Sequence, residues 1–436
     1  LIAVIVFIIV KTYDTVLDFV RNREMITILC AGSRGDFQPY IALAQELMAL
    51  GKAVRIAGNR SFAQFIQSYG IEFFPINADM ESLQVDPRML QAAASADNPF
   101  KMLLAFNKMK EYGIYMVHDY FAACEGSDVI VYHPGCTIGY FAAQLFGIPS
   151  ILAAPFPMHR TNEYLSVVMY GRMPANRFSK ALSYTLLHGM LWMASKDAIK
   201  GFWQQKFGQA PADFGVPFAR LDAGHPAVIS CSNAVFARPH DWSADIHQHG
   251  YWFAREPQPY VPSAALADFL AHDTKPIYVG FGSMTGFGDQ TALGETVVQA
   301  LVKSGKRGVV SGLGQIANLP ESIIAIDAVP HSWLFPQMDA VCHHGGAGTT
   351  AAGLRAGVPN LIVPFANDQF AWAQRATDLG VAPQAIARKQ VTVARLAQAF
   401  QQVDSPSLRH NATLLAQQIA QEDGARRCAE VIAVVG

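Results

Sequence analysis

Charge is scarce in this 436-residue chain. Only 15% of its residues are charged, the 33 basic and 34 acidic side chains nearly cancel, and no long run of either sign occurs. That excludes the basic footprint of a nucleic-acid binder and the polybasic cluster that recognises anionic lipid. Cysteine is sparse as well. Cys30, Cys124, Cys136, Cys231, Cys342 and Cys428 stand apart, with no C-x-x-C pair and no metal-ligand spacing. They read as reduced, mostly buried thiols of a cytoplasmic protein, and no metal is expected. Long apolar runs are missing too. Leu1–Val10 is continuous but short, since a bilayer span needs about 20 apolar residues. No basic segment precedes that run as it would in a signal peptide. Residues 1–24 are therefore read as a tail, with a short membrane-surface helix as the alternative.

Hydrophobic side chains make up 51% of the chain, enough for a large buried core, and the length suggests two or three domains. Met25–Ala31 is a short apolar run, a glycine-containing loop follows, Ile41–Leu50 has helical spacing and Ala53–Gly58 is apolar again. This is a βαβ pattern. Val129–Tyr132, Ser150–Ala154 and Ala227–Cys231 continue it, the last as the final strand of the first half. The stretch 155–220 is rich in Met, Tyr, Phe and Trp and reads as helix core or as an adaptable surface for a greasy ligand. Residues 238–262 hold Pro239, Pro257, Pro259 and Pro262 and read as a linker. The strand pattern then restarts at Pro276–Gly282, Gly308–Ser311, Ile323–Ala328, Ala340–His343 and Asn360–Pro364. The expected fold is α/β, with two facing Rossmann-like domains and a cleft between them. Residues 25–237 would bind the acceptor and 263–410 the donor. Residues 411–436 would form a C-terminal helix that can pack back on the first domain.

The strongest chemical signal is His343-His344-Gly345-Gly346-Ala347-Gly348-Thr349-Thr350, between an apolar run and a helical stretch. Small residues let a phosphate approach the backbone, and the free N–H groups of a helix start favour negative charge. Thr349 and Thr350 add hydroxyl donors, and His344 adds an imidazole donor for a phosphate oxygen, a stronger one if protonated. No G-K-[ST] and no G-x-G-x-x-G is present, so this is neither a Walker loop nor a dinucleotide fingerprint. Asp368 and Gln369 follow the strand Asn360–Pro364, where a carboxylate beside an amide can take several sugar hydroxyls. Ser283, after the first strand of the second half, is a candidate phosphate contact. Val329 and His331 are candidates for holding a nucleotide base, through backbone groups or a ring, with Trp333 as the alternative to His331. In the first half, Ser33 and Arg34 can reach a diphosphate. Asp36 either accepts a proton from an acceptor hydroxyl or caps the next helix; the residues alone favour the cap.

These strings resemble the family-one glycosyltransferases with the twin-Rossmann fold. They are most similar to the sterol glucosyltransferase branch and to bacterial antibiotic glycosyltransferases. The resemblance rests on I-L-C-A-G-S-R-G-D-F-Q-P-Y-I-A-L-A (Ile28–Ala44), Y-V-G-F-G-S-M (Tyr278–Met284), V-P-H-S-W-L-F-P (Val329–Pro336) and H-H-G-G-A-G-T-T-A-A-G-L-R-A-G-V-P (His343–Pro359). The last continues to P-F-A-N-D-Q-F (Pro364–Phe370), and H-G-Y-W-F (His249–Phe253) is also similar. It implies a UDP-sugar as co-substrate, no metal or other cofactor, and inversion at the anomeric carbon. It puts Asp36 in the place of the catalytic base, His344, Gly346, Gly348 and Thr349 at the diphosphate, and Asp368 and Gln369 at the sugar. The plant signature carries a ribose-binding Glu where this chain has Ala352. The partners expected are a UDP-sugar, with glucose foremost, and a small apolar acceptor such as a sterol, triterpenoid or polyketide. Two other readings stay open: an epimerase or hydrolase acting on the sugar nucleotide, and a non-catalytic sugar-nucleotide-binding protein.

Overall fold

The computed structural model describes residues 24–77, 110–282, 290–314, 316, 318–366 and 368–435. Ser283 and nearly all of the N-terminal tail lie outside the described residues.

Two separate parallel sheets organise the chain. The first contains β1 (Met25–Leu29), β2 (Ala53–Asn59), β3 (Glu72–Ile76), β4 (Val129–Tyr132), β5 (Ser150–Ala154), β6 (Ala227–Ser230) and β7 (Ile246–Gly250), in the order β3-β2-β1-β4-β5-β6-β7. The second contains β8 (Ile277–Gly280), β9 (Gly308–Ser311), β10 (Ile323–Ile326), β11 (Ala340–His343) and β12 (Asn360–Ile362), in the order β10-β9-β8-β11-β12. Strands β4, β5, β6, β8 and β11 are buried at every position. Sheets covered by helices on both faces demand such strands, which explains why they read as continuous apolar runs rather than alternating ones.

Strand order decides where chemistry can sit. It reverses between β1 and β4 in the first sheet and between β8 and β11 in the second. Loops leaving the carboxyl ends of such a pair go to opposite faces and leave a crevice. Leu29 is level with Tyr132, and Gly280 with His343. The loops that begin at Cys30, His133, Phe281 and His344 therefore open at the two crevices.

Helix α1 spans Arg34–Ala49, earlier than the periodicity from Ile41 indicates. Ser33 is its N-cap in an extended conformation, and Asp36 completes a capping box. Pro39 falls inside this helix; lacking an N–H, it leaves the Gly35 carbonyl without its usual helical donor. The aromatic-rich stretch becomes a loop followed by α2 (Arg177–Phe207), which starts on the Asn176 side chain and stops at Gly208 (φ 72°). The proline-rich stretch 238–262 is not only a connection. It holds β7, which pairs with β6 in parallel, so Ala227–Ser230 is not the last strand of its sheet. Proline composition misled here because Pro239 and Pro257 flank the strand and do not interrupt it.

In the second half, α3 (Ala347–Ala356) follows β11 and α4 (Gln369–Asp378) follows β12. Helix α5 (Pro406–Ala420) packs on α3, whereas α6 (Gly424–Val435) crosses over to pack on α1 and β7. The crossing is tight. A Cβ on Gly424 would meet the Gly250 backbone, and one on Gly250 (φ 131°) would come within 2.7 Å of the Glu422 side chain. We predict that Gly424→Ala destabilises the fold by about 1–3 kcal/mol, as overpacked sites do. Denaturant unfolding checks this, and an unchanged midpoint would show that the crossing is looser than drawn.

Candidate active site

The second crevice is built on a buried histidine. His343 ends β11 fully buried; its Nδ1 accepts from the Gly345 N–H (3.1 Å) and its Nε2 faces the Asn360 Oδ1 (3.1 Å). These partners fix the ring proton on Nε2. Asn360 is held in turn by donating Nδ2 to the Val358 carbonyl (2.9 Å). Burial pushes the His343 pKa down to about 3. This imidazole is a neutral post that shapes the turn, leaving its neighbour His344 to face the crevice.

His344 lies between two glycines. A Cβ on Gly346 would sit 2.5 Å from its Nε2, and one on Gly282 would sit 3.2 Å from its Cε1. Its Nδ1 is buried without a partner among the described residues, and burial lowers its pKa to about 4. The ring is therefore neutral near pH 7, not the imidazolium that would bind an anion most strongly. Gly346 is the N-cap of α3, so the first amides of the helix, on Ala347, Gly348 and Thr349, have no intrahelical acceptor. Thr350 is spent inside the turn, its hydroxyl donating to the Gly346 carbonyl (2.9 Å).

The first crevice abuts this helix start. A Cβ on Gly348 would sit 3.3 Å from the Gly35 carbonyl, the carbonyl that Pro39 leaves unclaimed. Arg34 lies over the Phe65 ring (4.3 Å) and, with His344, helps to depress His331 to about 4, burial being the larger cause. Arg34, His331 and His344 thus converge from both domains. His331 stacks on Phe335 (centroids 4.2 Å, 15° between planes), so one face of its ring is already covered. Val329, Trp333 and Ala352 each pack against a neighbouring apolar cluster.

Asp36 accepts at Oδ2 from both the backbone N–H (2.6 Å) and the hydroxyl (2.9 Å) of Ser33. The cap and the site are therefore compatible: Oδ2 holds the helix start, and Oδ1 makes no hydrogen bond among the described residues. Ser33 is thereby committed to Asp36. Close to Asp36 stands His133, which sequence reasoning missed. Its Nδ1 accepts from the Gly135 N–H (3.0 Å), and burial lowers its pKa while the Asp36 charge pulls it back up. The signal was there: a histidine directly after a buried strand that proves to flank the switch point.

Asp368 is the N-cap residue of α4, and its Oδ2 accepts the indole N–H of buried Trp372 (2.8 Å). Burial raises its pKa to about 6; the Trp372 hydrogen bond opposes this, and the Asp36 charge adds to the rise. Carboxylates from both domains thus lie within electrostatic reach. Gln369 accepts at Oε1 from the Phe365 and Ala366 amides (2.8 and 3.0 Å), which fixes the orientation of its side-chain amide. Trp372 was also missed, although an i, i+4 relation to Asp368 places both on one helix face. Among the described residues no group of three or more His, Cys, Asp or Glu could hold a metal ion.

Comparison with known proteins gives this geometry a lineage. A family model of the glycosyltransferase family 28 N-terminal domain matches residues 26–165, and one of the erythromycin biosynthesis protein CIII-like C-terminal domain matches residues 309–434. A sterol 3-beta-glucosyltransferase of Arabidopsis thaliana is 31% identical over 422 residues, covering 92% of this chain and 66% of that protein. The chain belongs to the twin-Rossmann glycosyltransferases. A sterol 3-beta-glucosyltransferase of Sclerotinia sclerotiorum is 32% identical over 92% of this chain but only 28% of the fungal one. The chain thus spans just under two thirds of the plant relative and less than a third of the fungal one. Among solved structures, the glycotransferase of kitacinnamycin aligns with a TM-score of 0.69 at 21% identity, over 95% of this chain and 99% of that one. A Streptomyces glycosyltransferase complexed with thymidine diphosphate aligns with a TM-score of 0.63 at 18% identity, over 94% and 100%. Both show the shared fold.

Acid should expose the cost of burying these imidazoles. His331, His343 and His344 all have folded pKa values below that of a free histidine, so the native state binds fewer protons than the unfolded one. Their contribution is complete above about pH 6.5 and is lost as pH falls toward their folded values. Asp368, with its raised pKa, acts in the opposite direction between about pH 4 and 6. We predict that His344→Gln flattens the loss of stability between pH 6.5 and 4 by about 1–3 kcal/mol. Thermal melts across that range test it, and an identical pH slope in both proteins would contradict it.

Proposed function

We propose that this protein transfers a sugar, glucose foremost, from a UDP-sugar to a hydroxyl of an apolar acceptor, with inversion at the anomeric carbon. The observation that carries the reading is the meeting of two features. The unclaimed amides at the start of α3, with the neutral His344, face the helix start that carries Asp36. Anion-stabilising donors and a proton acceptor within one crevice are what such a displacement requires. The sterol 3-beta-glucosyltransferase relatives and the natural-product glycosyltransferase folds support the substrate classes. A nucleoside diphosphate in one solved relative supports the donor type.

In this mechanism the acceptor hydroxyl gives its proton to Asp36 Oδ1. The acceptor oxygen attacks the anomeric carbon from the face opposite the diphosphate, and the bond to the leaving phosphate oxygen breaks. The negative charge gathering on UDP falls on the amides of Gly348 and Thr349, the Thr349 hydroxyl and the His344 ring. Arg34 and Ser283 assist at the diphosphate. Asp368 and the Gln369 Nε2 hold sugar hydroxyls. The base lies near Val329 and His331. Ala352 presents no polar side chain to the ribose. His133 stands beside Asp36 at the switch point of the first sheet. Closure of the two domains over the cleft excludes water, which competes as nucleophile. We place the protein in the cytoplasm, a reading its six buried, unpaired cysteines support.

Asp36→Asn tests the proposal most simply. Loss of a general base lowers transfer by about 10²–10⁴-fold, with UDP affinity retained. Product formation from UDP-glucose across an acceptor panel, followed by mass spectrometry, measures it. Turnover at the wild-type rate would remove Asp36 from the mechanism.

A further inference from the structure

The turn Ser232–Phe236, directly after β6 in the first domain, is gripped from three sides. Buried Gln248 of β7 donates its Nε2 to the Phe236 carbonyl (2.5 Å). Glu422, in the crossing between α5 and α6, accepts the Asn233 N–H at Oε1 (2.8 Å). Arg375 of α4, from the other domain, donates Nε to the Val235 carbonyl (2.5 Å). A turn so held is a fixed point to which both domains are tied.

Phe236 reaches from this turn across the domain boundary and is only 2% exposed. Its ring lies 5.7 Å from that of Trp372 in an edge-on arrangement, and the Arg375 guanidinium lies 5.2 Å from its centroid. On its near side it touches Tyr164 (5.5 Å) and Tyr170 (5.3 Å), both in the aromatic loop after β5. Tyr170 closes the set by donating its hydroxyl to Asp378 at the end of α4 (2.8 Å). Along α4, Asp368, Trp372 and Arg375 are spaced i, i+4 and i+7, one stripe of the helix. Trp372 touches Phe236 with its ring and gives its N–H to the Asp368 carboxylate (2.8 Å). A single contact path therefore runs from the first-domain turn through Phe236 and Trp372 to Asp368.

We propose that Phe236 and Arg375 are positioning residues that fix the Asp368 carboxylate against the donor sugar, so that the first domain, not the donor domain alone, sets the sugar site. This rests on the transfer reaction proposed above. Each side of the latch constrains a different freedom of α4. The Arg375–Val235 bond stops the helix from sliding, and the Phe236–Trp372 contact stops it from rolling. A small roll would swing the Asp368 carboxylate away from the sugar while leaving the α3 amides, on a separate element, in place.

The experiment uses the full chain with Arg375→Met, Arg375→Lys, Phe236→Leu and Tyr170→Phe. Four quantities are measured: melting temperature, UDP affinity, UDP-glucose affinity, and kcat and KM for transfer. The expected result is an unchanged UDP affinity and a reduced advantage of UDP-glucose over UDP. Transfer kcat should fall by about 10–100-fold in Arg375→Met, as sub-ångström misplacement does. Arg375→Lys, which keeps the charge and a donor, should recover part of that loss. Tyr170→Phe removes only a half-buried hydroxyl, so it still tests the latch if Phe236→Leu fails to fold. Wild-type kcat and an unchanged UDP-glucose advantage in Arg375→Met and Tyr170→Phe would overturn the inference. Absence of UDP binding in the wild-type chain would instead remove the underlying reaction, and the inference with it.

Discussion

One turn constrains everything else in this molecule: the passage from β11 into α3, held in shape by the buried His343. Its ring accepts an amide hydrogen on one side and meets Asn360 on the other. That arrangement lets the helix begin at once after a buried strand, with its first amides aimed outward and unclaimed. A buried ion could not do this work cheaply, since an unpaired charge in such a place is costly. A neutral imidazole with both nitrogens engaged can. A Cβ on Gly346 would run into the His344 ring, and one on Gly348 would crowd the Gly35 carbonyl.

Much of this was legible in the chain itself. Parallel strands buried on both faces read as plain apolar runs, and β4, β5, β8 and β11 were visible that way. The His343–Thr350 string carries its chemistry in residue types whose physical roles are few. Other features were hidden because they depend on neighbours distant in sequence. His133 acquires meaning only when β4 lies beside β1. Phe236 looks like any core aromatic until Trp372 is packed against it. Strand β7 was concealed by the prolines around it, and the early start of α1 by a proline within it. Asp36 posed a false choice between cap and base, because a carboxylate has two oxygens and can serve both.

The two sheets are joined by more than a connecting segment. Helix α6 returns to the first domain through a crossing that only glycine permits, and α4 is tied to the turn after β6. A relation between domains fixed at several points gives the carboxylates of Asp36 and Asp368 a defined separation, as a reaction between two separately held substrates demands. The same ties set a limit: whatever closes over the substrates must move without breaking them.

The central claim is electrostatic, that the open amides of α3 and the His344 ring receive the departing diphosphate. A crystal of the full chain grown with UDP measures this directly. The account predicts diphosphate oxygens within hydrogen-bond distance of the Gly348 and Thr349 amides and of the His344 imidazole. Density for the nucleotide at another place on the protein, with that helix start left unengaged, would contradict it.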